Sequence, residues 1–368
     1  MKITVLQSNF AKVLGGTSRI VGNRVTLPVL NNILISAQKG KIKFSATDLE
    51  VGISSTTIGK IDEEGDITLP ARLLSDFVLN NKDESIDLVV KGTMAKIKST
   101  RFEANINGIA AEEFPSIPEA KGGYKIKISK EKLASALKKV IIAPANDETR
   151  PVLAGICFQF NNNSLTLAAT DSYRLAEKKI EIEGNPEAKN IIVPTRTISE
   201  VFRMITGSDA TGDIDIICSD NQINFNIDGT KIVSRLIEGS YPAYAQIIPK
   251  NSPITVIANL SELLSAVKLS SLFAKEASNN NIKLIVKDGS LTVSSISSQV
   301  GDAKSKVAAE ITGGDVEVSF NARYLSDVLA VLGQEKVKIG LKDSGSAATI
   351  TTSDDKDYVY IVMPLKLD

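Results

Sequence analysis

The stretch Ile67-Thr-Leu-Pro-Ala-Arg-Leu-Leu-Ser-Asp decides the fold, because versions of it occur three times in the 368 residues. It returns as Ile192-Val-Pro-Thr-Arg-Thr-Ile-Ser-Glu and as Val318-Ser-Phe-Asn-Ala-Arg-Tyr-Leu-Ser-Asp. In each copy a strand meets Pro or Asn, and a basic residue opens a helix. Proline is tolerated in the first turn of a helix and asparagine caps a helix well. The Pro or Asn positions lie 124 and 127 residues apart, which predicts a module of about 120 residues.

Three other features recur in the same order: an opening strand with an amphipathic helix, a strand pair ending in Thr-Asp, and a closing strand. The Thr-Asp pairs begin at Thr47 and Thr170, and copy three has the weaker match Leu291-Thr-Val-Ser-Ser. Apolar residues at i, i+3 and i+4 predict the helices, and short apolar runs bounded by turn residues predict antiparallel strands. The sequence therefore predicts an α+β fold with two helices per module on one sheet face.

The repeat predicts two boundaries in turn-rich sequence, near Gly122-Gly123 and near Asn251-Ser252-Pro253. The three predicted domains span 1–122, 123–251 and 252–368. The six predicted helices span 9–24, 71–82, 130–139, 195–205, 261–276 and 322–331.

Composition excludes several function classes. The chain lacks histidine, which removes Ser-His and Cys-His nucleophile systems and the commonest metal ligand. Neither a phosphate-binding glycine loop nor a Cys-x-x-Cys spacing occurs. Cys157 and Cys218 lie in apolar stretches, so we expect them to be buried and reduced. The sequence predicts no catalytic residue, no metal and no cofactor.

The location of the protein is predicted from its apolar segments. No run of 18 apolar residues occurs, and the chain opens on a strand rather than on a signal peptide. We therefore expect a cytoplasmic protein.

Two acidic groups have alternative interpretations. Asp48 with Glu50, and the run Asp62-Glu63-Glu64, lie beside turn-forming glycines. They are either solvated loop charges or a divalent-cation site. Because Thr-Asp recurs at equivalent positions, we expect its Asp to bond nearby backbone in a turn rather than to catalyse a reaction.

Charge is distributed unevenly between helices and strands. The chain has 43 basic and 43 acidic residues, but the predicted helices hold 14 basic and six acidic residues. Helices that are net positive attract a phosphate backbone without reading base sequence. The alternative is that Lys and Arg simply favour helices, although Glu has an equal helix preference. The sequence therefore favours a nucleic-acid backbone as partner.

The chain resembles the bacterial sliding clamps, the family of the DNA polymerase III beta subunit, over its whole length. Nine motifs carry the resemblance: Thr26-Leu-Pro-Val-Leu, Ala46-Thr-Asp-Leu-Glu, Leu69-Pro-Ala-Arg, Ala169-Thr-Asp-Ser-Tyr-Arg-Leu-Ala, Ile192-Val-Pro-Thr-Arg, Glu238-Gly-Ser-Tyr-Pro-Ala-Tyr, Ile248-Pro-Lys-Asn, Phe320-Asn-Ala-Arg-Tyr and Val362-Met-Pro-Leu. The resemblance implies a head-to-tail homodimer whose six modules close a ring around double-stranded DNA, with helices lining the hole. Such a ring catalyses nothing; it tethers the replicative polymerase, the clamp loader and other proteins that carry clamp-binding peptides.

The resemblance also implies site residues. The DNA-binding residues are Arg24, Arg72, Arg196 and Arg203, with Arg150 in place of the loop aromatics of some members. The peptide-binding pocket lies between modules two and three, where Gln246 stands at a position that is arginine in some members. Its residues are Leu153, Thr170, Ser172, Tyr173, Arg174, Leu175, Pro242, Ile247, Asn321, Tyr324, Val362, Met363, Pro364 and Leu365. The dimer interface joins Phe102 and Ala104 of one copy to Leu272 and Phe273 of the other.

Two other functions stay open from the residues alone. A hydrolase or transferase would need a deep cleft with two carboxyl groups of perturbed pKa. A scaffold of three similar domains that does not bind DNA would tolerate charge reversal of the helix arginines.

Overall fold

The computed structural model describes residues 1–22, 27–118, 122–147, 149–184, 186, 188–208, 211–274 and 280–365. Each module runs strand, helix, strands, helix, strands, which confirms the predicted α+β repeat. Module one has helices α1 (Gln7–Thr17) and α2 (Ala71–Asn80). Its strands are β1 (Lys2–Leu6), β2 (Asn32–Gln38), β3 (Lys41–Thr47), β4 (Val51–Thr57), β5 (Lys60–Glu63), β6 (Gly65–Pro70), β7 (Ser85–Lys91), β8 (Met94–Lys98) and β9 (Glu103–Asn107).

Module two has helices α3 (Lys130–Val140) and α4 (Thr195–Thr206). Its strands are β10 (Tyr124–Ser129), β11 (Gly155–Asn161), β12 (Ser164–Thr170), β13 (Arg174–Glu181), β14 (Lys189–Pro194), β15 (Asp213–Cys218), β16 (Gln222–Ile227) and β17 (Thr230–Arg235).

Module three has helices α5 (Leu260–Ala274) and α6 (Ala322–Leu332). Its strands are β18 (Ile254–Asn259), β19 (Asn281–Lys287), β20 (Ser290–Ser297), β21 (Gly301–Val307), β22 (Ala309–Thr312), β23 (Val316–Asn321), β24 (Lys336–Leu341), β25 (Ala348–Thr351) and β26 (Tyr358–Val362).

The six helices lie close to their predicted spans, and the first shows the largest difference. The prediction of a helix over 9–24 is wrong at its C-terminal end, because α1 ends at Thr17 and a short 3₁₀ turn follows. Thr17 and Ser18 bond through their hydroxyls to the carbonyls of Val13 and Leu14. Such local bonds compete with helix continuation. The last predicted residues of the fifth helix lie outside the described residues.

Among the described residues all strand pairs are antiparallel, and two of the four sheets cross a module boundary. The sheet β10-β15-β16-β17-β4-β3-β2-β6 joins modules one and two, and the sheet β14-β11-β12-β13-β26-β25-β24-β18-β22 joins modules two and three. The other two sheets, β5-β1-β7-β8-β9 and β21-β20-β19-β23, each stay within one module. Sheet sharing explains why the chain divides into two compact units, 1–130 with 203–236 and 131–202 with 237–368.

Each module buries one face of its sheets beneath its helices. In module one, Phe10 of α1 packs on Phe44 of β3, with ring centroids 5.3 Å apart. Along β18 buried and partly exposed residues alternate, as expected for a sheet with one covered face. Cys157 and Cys218 are buried and free of disulfides, as predicted. None of the helices formed by the described residues is long and apolar enough to span a membrane.

Candidate functional site

Modules two and three meet within one compact unit, where β13 pairs with β26. Arg174 faces Val362 at one end of this ladder and Lys178 faces Tyr358 at the other. A buried apolar cluster lies beside it: Cys157, Ala168, Leu175, Tyr244 and Ile361, with Tyr241, Ile248, Ala347 and Val359 packed against them. The predicted pocket residues are therefore arranged around one continuous sheet.

The Thr-Asp motif forms a tight turn between β12 and β13. Thr170 Oγ1 donates to the Arg174 carbonyl at 2.6 Å and accepts from the Ser172 amide at 3.1 Å. Asp171 Oδ1 accepts from the amides of Tyr173 and Arg174, both at 2.9 Å. Ser172 has a φ of 80°, a left-handed conformation that is unusual for a residue with a side chain. The turn holds Ser172 and Tyr173 outward, and its Asp has the backbone-bonding role predicted from the recurrence.

Arg174 links the turn to helix α6. Its side chain is buried, and it donates to Asp171 Oδ2 at 3.0 Å and to Asp327 Oδ2 at 2.6 Å. The guanidinium lies 4.4 Å from the ring centroid of Tyr324. Burial by itself lowers the pKa of Arg174. Tyr360, Asp327 and Asp171 together raise it by more than burial lowers it, so the net shift of the pKa is upward. Charge-assisted bonds of this kind fix geometry as well as contribute energy, so Arg174 orients the side chains around it.

Exposed apolar side chains lie next to this network. Tyr173 is 58% exposed, Ile247 52% and Met363 40%. The Met363 amide donates to the Tyr173 carbonyl at 2.8 Å, which holds the two residues side by side. Ile247 ends a 3₁₀ turn that begins at the buried Tyr244. We call the surface formed by Ser172, Tyr173, Tyr324, Ile247 and Met363 the groove.

The other predicted pocket residues divide by burial. Thr170, Arg174, Leu175, Leu153 and Val362 are buried and build the groove from beneath. Pro242 is exposed, and Asn321, Pro364 and Leu365 are partly buried. Asn321 Oδ1 accepts from the Arg323 amide, so this residue also caps α6.

Three residues that the sequence reasoning missed support the groove. Tyr241 Oη accepts from the Thr170 amide at 3.0 Å, and burial raises the pKa of Tyr241. Tyr360 donates to the Tyr324 carbonyl at 3.0 Å, and Asp327 anchors Arg174. Asp327 had a sequence signal, because the helix-opening motif carries an acid at this place in all three copies.

Burial also affects the one cysteine beneath the groove. It raises the pKa of the Cys157 thiol to about 11, so the thiol stays protonated and unreactive at neutral pH.

An ion cluster lies at the other end of the β13–β26 ladder. Asp355 pairs with Lys139 and Lys178, each at 2.5 Å, and Lys139 lies 5.3 Å from the Tyr358 ring centroid. Burial raises the pKa of Asp355, but the two lysines lower it more, so the carboxyl titrates below its ordinary range. The cluster ties module two to module three by charge.

Modules one and two meet in the other compact unit, where β17 pairs with β4 and the turn is repeated. Thr47 Oγ1 donates to the Val51 carbonyl and accepts from the Leu49 amide, and Leu49 has a φ of 77°. The Arg235 amide donates to the Glu50 carbonyl at 2.9 Å. Glu50 and Arg235 thus stand where the groove has Tyr173 and Met363, so the same backbone carries polar side chains.

The acidic groups that were open to a metal interpretation have protein partners. Asp48 Oδ1 accepts from the amides of Glu50 and Val51. Asp62 pairs with Lys2 and Lys60, and Lys60 lowers the pKa of its carboxyl. In the part of the chain that the structure describes, no three potential metal ligands cluster.

Four of the five predicted DNA-binding arginines are described, and all four are exposed. Arg72 and Arg196 are the second residues of α2 and α4, and Arg203 lies in the last turn of α4. Arg323, which opens the helix in the third copy of the motif but was not among the predicted DNA-binding residues, is the second residue of α6 and is also exposed. The repeat therefore presents one exposed arginine at the same helical position in each module.

The predictions of DNA contacts for Arg24 and Arg150 have different outcomes. Arg24 lies outside the described residues. Arg150 donates to Ser172 Oγ at 3.2 Å and pairs with Asp147 at 3.6 Å, which places it beside the groove.

The predicted dimer residues lie near two strand edges. Phe102 is 52% exposed and precedes β9, an edge strand in which Ala104 is partly exposed. Leu272 is 57% exposed on α5, whereas Phe273 is partly buried. In the same module β21 is an edge strand.

The chain matches three family models in succession. They describe the DNA polymerase III beta subunit: its N-terminal domain at residues 1–118, its central domain at 127–243 and its C-terminal domain at 245–366.

Similar proteins agree with these models. The beta sliding clamp of Staphylococcus epidermidis is 30% identical over 376 residues, covering 100% of this chain and 99% of the relative. The structure resembles the DNA polymerase sliding clamp of Bacillus subtilis with a TM-score of 0.94 at 28% identity. It resembles the griselimycin-bound sliding clamp of Bartonella birtlesii with a TM-score of 0.94 at 30% identity, and each comparison covers both chains fully.

These matches cover all three modules and agree with the order of their elements. The chain therefore belongs to the DNA polymerase III beta subunit family, the bacterial sliding clamps.

Proposed function

We propose that this chain forms a head-to-tail homodimer that encircles double-stranded DNA and tethers the replicative polymerase without catalysing a reaction. One observation carries the assembly. Strand β17 pairs with β4, and β26 pairs with β13, whereas the equivalent strands β9 and β21 have open edges within the described residues. Open edges favour pairing with another chain. Two chains that pair β9 with β21 at both ends fill the β9 and β21 edges of both chains, and a closed heterologous contact makes a ring.

Binding to DNA in this proposal rests on repeated positive charge. Arg72, Arg196 and Arg323 occupy one helical position in the three modules, and Arg203 adds charge to α4. Arginines on helices contact phosphates, and such contacts position DNA without reading its sequence. A ring that moves along DNA needs this kind of contact, and it raises the local concentration of any protein that it holds.

Partner binding rests on the groove. Its exposed Tyr173, Ile247 and Met363 lie over a network that fixes Arg174 and Tyr324. An apolar groove that includes a flexible methionine suits short peptides with apolar side chains. We propose that the polymerase and the clamp loader bind here through such peptides. The predicted domain limits and the cytoplasmic location stay predictions.

Retention on DNA tests the ring. The protein is loaded by its clamp loader onto nicked circular DNA, and the complex is separated from free protein by gel filtration. We expect the protein to remain on the circle and to be lost when a restriction enzyme linearises it, because a ring slides off a free end. Equal retention on the two DNA forms would contradict encirclement.

Charge reversal tests the helix arginines and discriminates a scaffold that does not bind DNA. The triple variant Arg72→Glu, Arg196→Glu and Arg203→Glu should load poorly while it still dimerises. Reversal of Lys287, an exposed residue that ends β19, serves as the control. Undiminished loading of the triple variant would favour the scaffold.

A single truncation tests the groove. Met363→Ala should weaken polymerase binding by about tenfold or more, as expected for a side chain that the bound partner buries at the centre of its site. Leu79→Ala removes another exposed apolar side chain, on α2, and should leave binding unchanged. Unchanged affinity of Met363→Ala, with folding intact by circular dichroism, would refute the groove as the partner site.

A further inference from the structure

The open edge strands β9 and β21 have equivalents in the other modules, and the structure shows how those equivalents pair. In each module a ladder of paired residues starts three positions before the end of the opening strand and leads to the closing strand. The three ladders are Ile3–Leu88–Ile97–Ala104, Ile126–Ile216–Phe225–Ile232 and Val256–Ile339–Ile350–Tyr360. Ala104 of β9 is therefore equivalent to Ile232 of β17 and to Tyr360 of β26.

The strands that receive these residues also share a register. Ile232 faces Ile53, the third residue of β4, and Tyr360 faces Ala176, the third residue of β13. The third residue of β21 is Ala303. Both internal junctions thus use one register, and it carries over to β9 and β21 without adjustment.

We propose that β9 of one copy pairs with β21 of the other with Ala104 opposite Ala303, so that Glu103 and Lys304 form an ion pair across the dimer. The proposal rests on the homodimer proposed above and adds its register and its charge contact. We call this β9–β21 pairing the seam.

Charge complementarity favours this register. Glu103 lies opposite Lys98 on β8 and accepts from Lys96 at 2.6 Å. On its other side the seam places Lys304, which is exposed on β21. Asn105 then lies opposite Asp302. Glu103 is thus flanked by cations on both sides, and opposite charges on directly facing residues stabilise a strand pair.

Other registers are less favourable. A slip by one residue turns the exposed charges of β21 to the opposite face of the sheet. A slip by two residues in one direction brings Glu103 opposite Asp302, and like charges that face each other repel. A slip by two residues in the other direction brings Glu103 opposite the exposed Lys306. The charges therefore exclude one of the two slips, and the register shared by both internal junctions argues against the other.

The internal junctions lack this charge contact. The pair equivalent to Glu103 and Lys304 is Lys231 opposite Ser54 in one junction and Val359 opposite Glu177 in the other. Those strands belong to one chain, which keeps their effective concentration high. The seam joins separate molecules, and there complementary charge guides association and excludes wrong partners.

Charge reversal with rescue tests the ion pair. Glu103→Lys or Lys304→Glu should each raise the dimer dissociation constant about tenfold at low salt, because attraction becomes repulsion. The double variant restores opposite charges and should return most of the affinity, as measured by sedimentation equilibrium. Glu317→Lys reverses a charge on β23, at the other edge of the same sheet, and should leave the constant unchanged.

Cysteine cross-linking tests the register. Facing residues of antiparallel strands have Cα atoms about 4.5–5.5 Å apart, within the range of a disulfide. Ala104→Cys combined with Ala303→Cys should give a covalent dimer on mild oxidation, and Ala104→Cys with Ser305→Cys should cross-link much less. The native Cys157 and Cys218 are buried and give no background.

The outcomes separate the two proposals. A wild-type protein that sediments as a monomer would overturn the homodimer itself. A stable dimer that fails to cross-link at the matched pair, or whose affinity the double reversal does not restore, would overturn the register and the ion pair alone.

Discussion

The junction of modules one and two and the junction of modules two and three share a backbone and differ in chemistry. In both, a Thr-Asp turn sets a residue in the left-handed region, Leu49 or Ser172. In both, an amide at the end of the closing strand or directly after it donates to the carbonyl of the residue that follows the left-handed one. These bonds join Arg235 to Glu50 and Met363 to Tyr173. The first junction presents charged side chains at this place, whereas the second presents an aromatic ring and a thioether.

The difference shows where the repeat is free to diverge. The turn occurs in modules one and two, where it joins the strands that carry the two shared sheets. The side chains that point outward from it do not hold the sheet and can change to suit a partner. Module three also contributes Asp327, which faces Arg174, whereas Val51 stands at the Arg174 position in module one. The proposed partner recognition therefore uses one junction of a scaffold that both junctions share.

The largest effect is expected from a substitution that breaks the charge contact at the second junction. Asp355→Asn removes the carboxylate that the buried Lys139 and the largely buried Lys178 share as their counter-charge. Breaking a buried pair is strongly destabilising, so we expect a loss of about 3 kcal/mol in the free energy of unfolding, measured with denaturant at pH 7. Asp354→Asn, at the exposed neighbouring position, should change it by less than about 0.5 kcal/mol. An equal effect of the two variants would contradict the role of the cluster.

The same variant tests the pH dependence of stability. The pKa of Asp355 in the folded protein lies below its ordinary value of 3.8. Its ionised form therefore stabilises the fold above that value, and the contribution is lost as the pH falls through the lowered pKa. We expect wild-type stability to fall more steeply than that of Asp355→Asn as the pH drops below about 4. Parallel pH profiles would show that the carboxyl does not couple to folding.

A smaller effect is expected when the groove is given the side chains of the first junction. Tyr173→Glu with Met363→Arg copies Glu50 and Arg235 onto an equivalent backbone. Polymerase binding should weaken by roughly 30-fold or more, since aromatic anchors often contribute about 2 kcal/mol, while unfolding changes little. Surface plasmon resonance with the purified polymerase measures the binding. The reciprocal change, Glu50→Tyr with Arg235→Met, is the matched control and should leave polymerase affinity unaltered.

The smallest effect concerns the strained turns. Ser172→Gly removes the side chain from a left-handed residue and should raise the free energy of unfolding by about 0.5 kcal/mol, after the entropy of glycine in the unfolded chain is counted. Leu49→Gly should gain less, because the half-buried leucine loses apolar contacts. Denaturant titration of both variants checks the order. A clear loss of stability in Ser172→Gly would mean that its hydroxyl contact with Arg150 outweighs the strain.

The sequence predicted local features well. Apolar periodicity placed five of the six helices within about three residues of their observed ends at the described termini. It overextended the first helix because apolar spacing does not report the side-chain bonds of Thr17 and Ser18. Recurrence of Thr-Asp identified the turn correctly, since the bonds of Asp48 and Asp171 reach only two or three residues along the chain.

The candidate site was predicted less completely. The resemblance supplied the exposed side chains of the groove, but Asp327, Tyr241 and Tyr360 were absent from the prediction. Arg174 and Asp327 are 153 residues apart, and Tyr241 and Thr170 are 71 apart. Contacts at such separations leave no periodic pattern, because they depend on how two modules share a sheet.

By itself the sequence determined the threefold repeat, the two helices of each module, the turns and the positive charge on the helices. Each of these follows from neighbours within a few positions, where spacing and residue type report the local physics. Only the tertiary structure decided that sheets run across module boundaries and that Arg174 is held between Asp171 and Asp327. It also decided that, among the residues it describes, β9 and β21 keep open edges. Strand pairing uses backbone groups that every sequence has in common, and it joins residues that are distant in the chain. Only the folded chain therefore reveals which strand edges are filled.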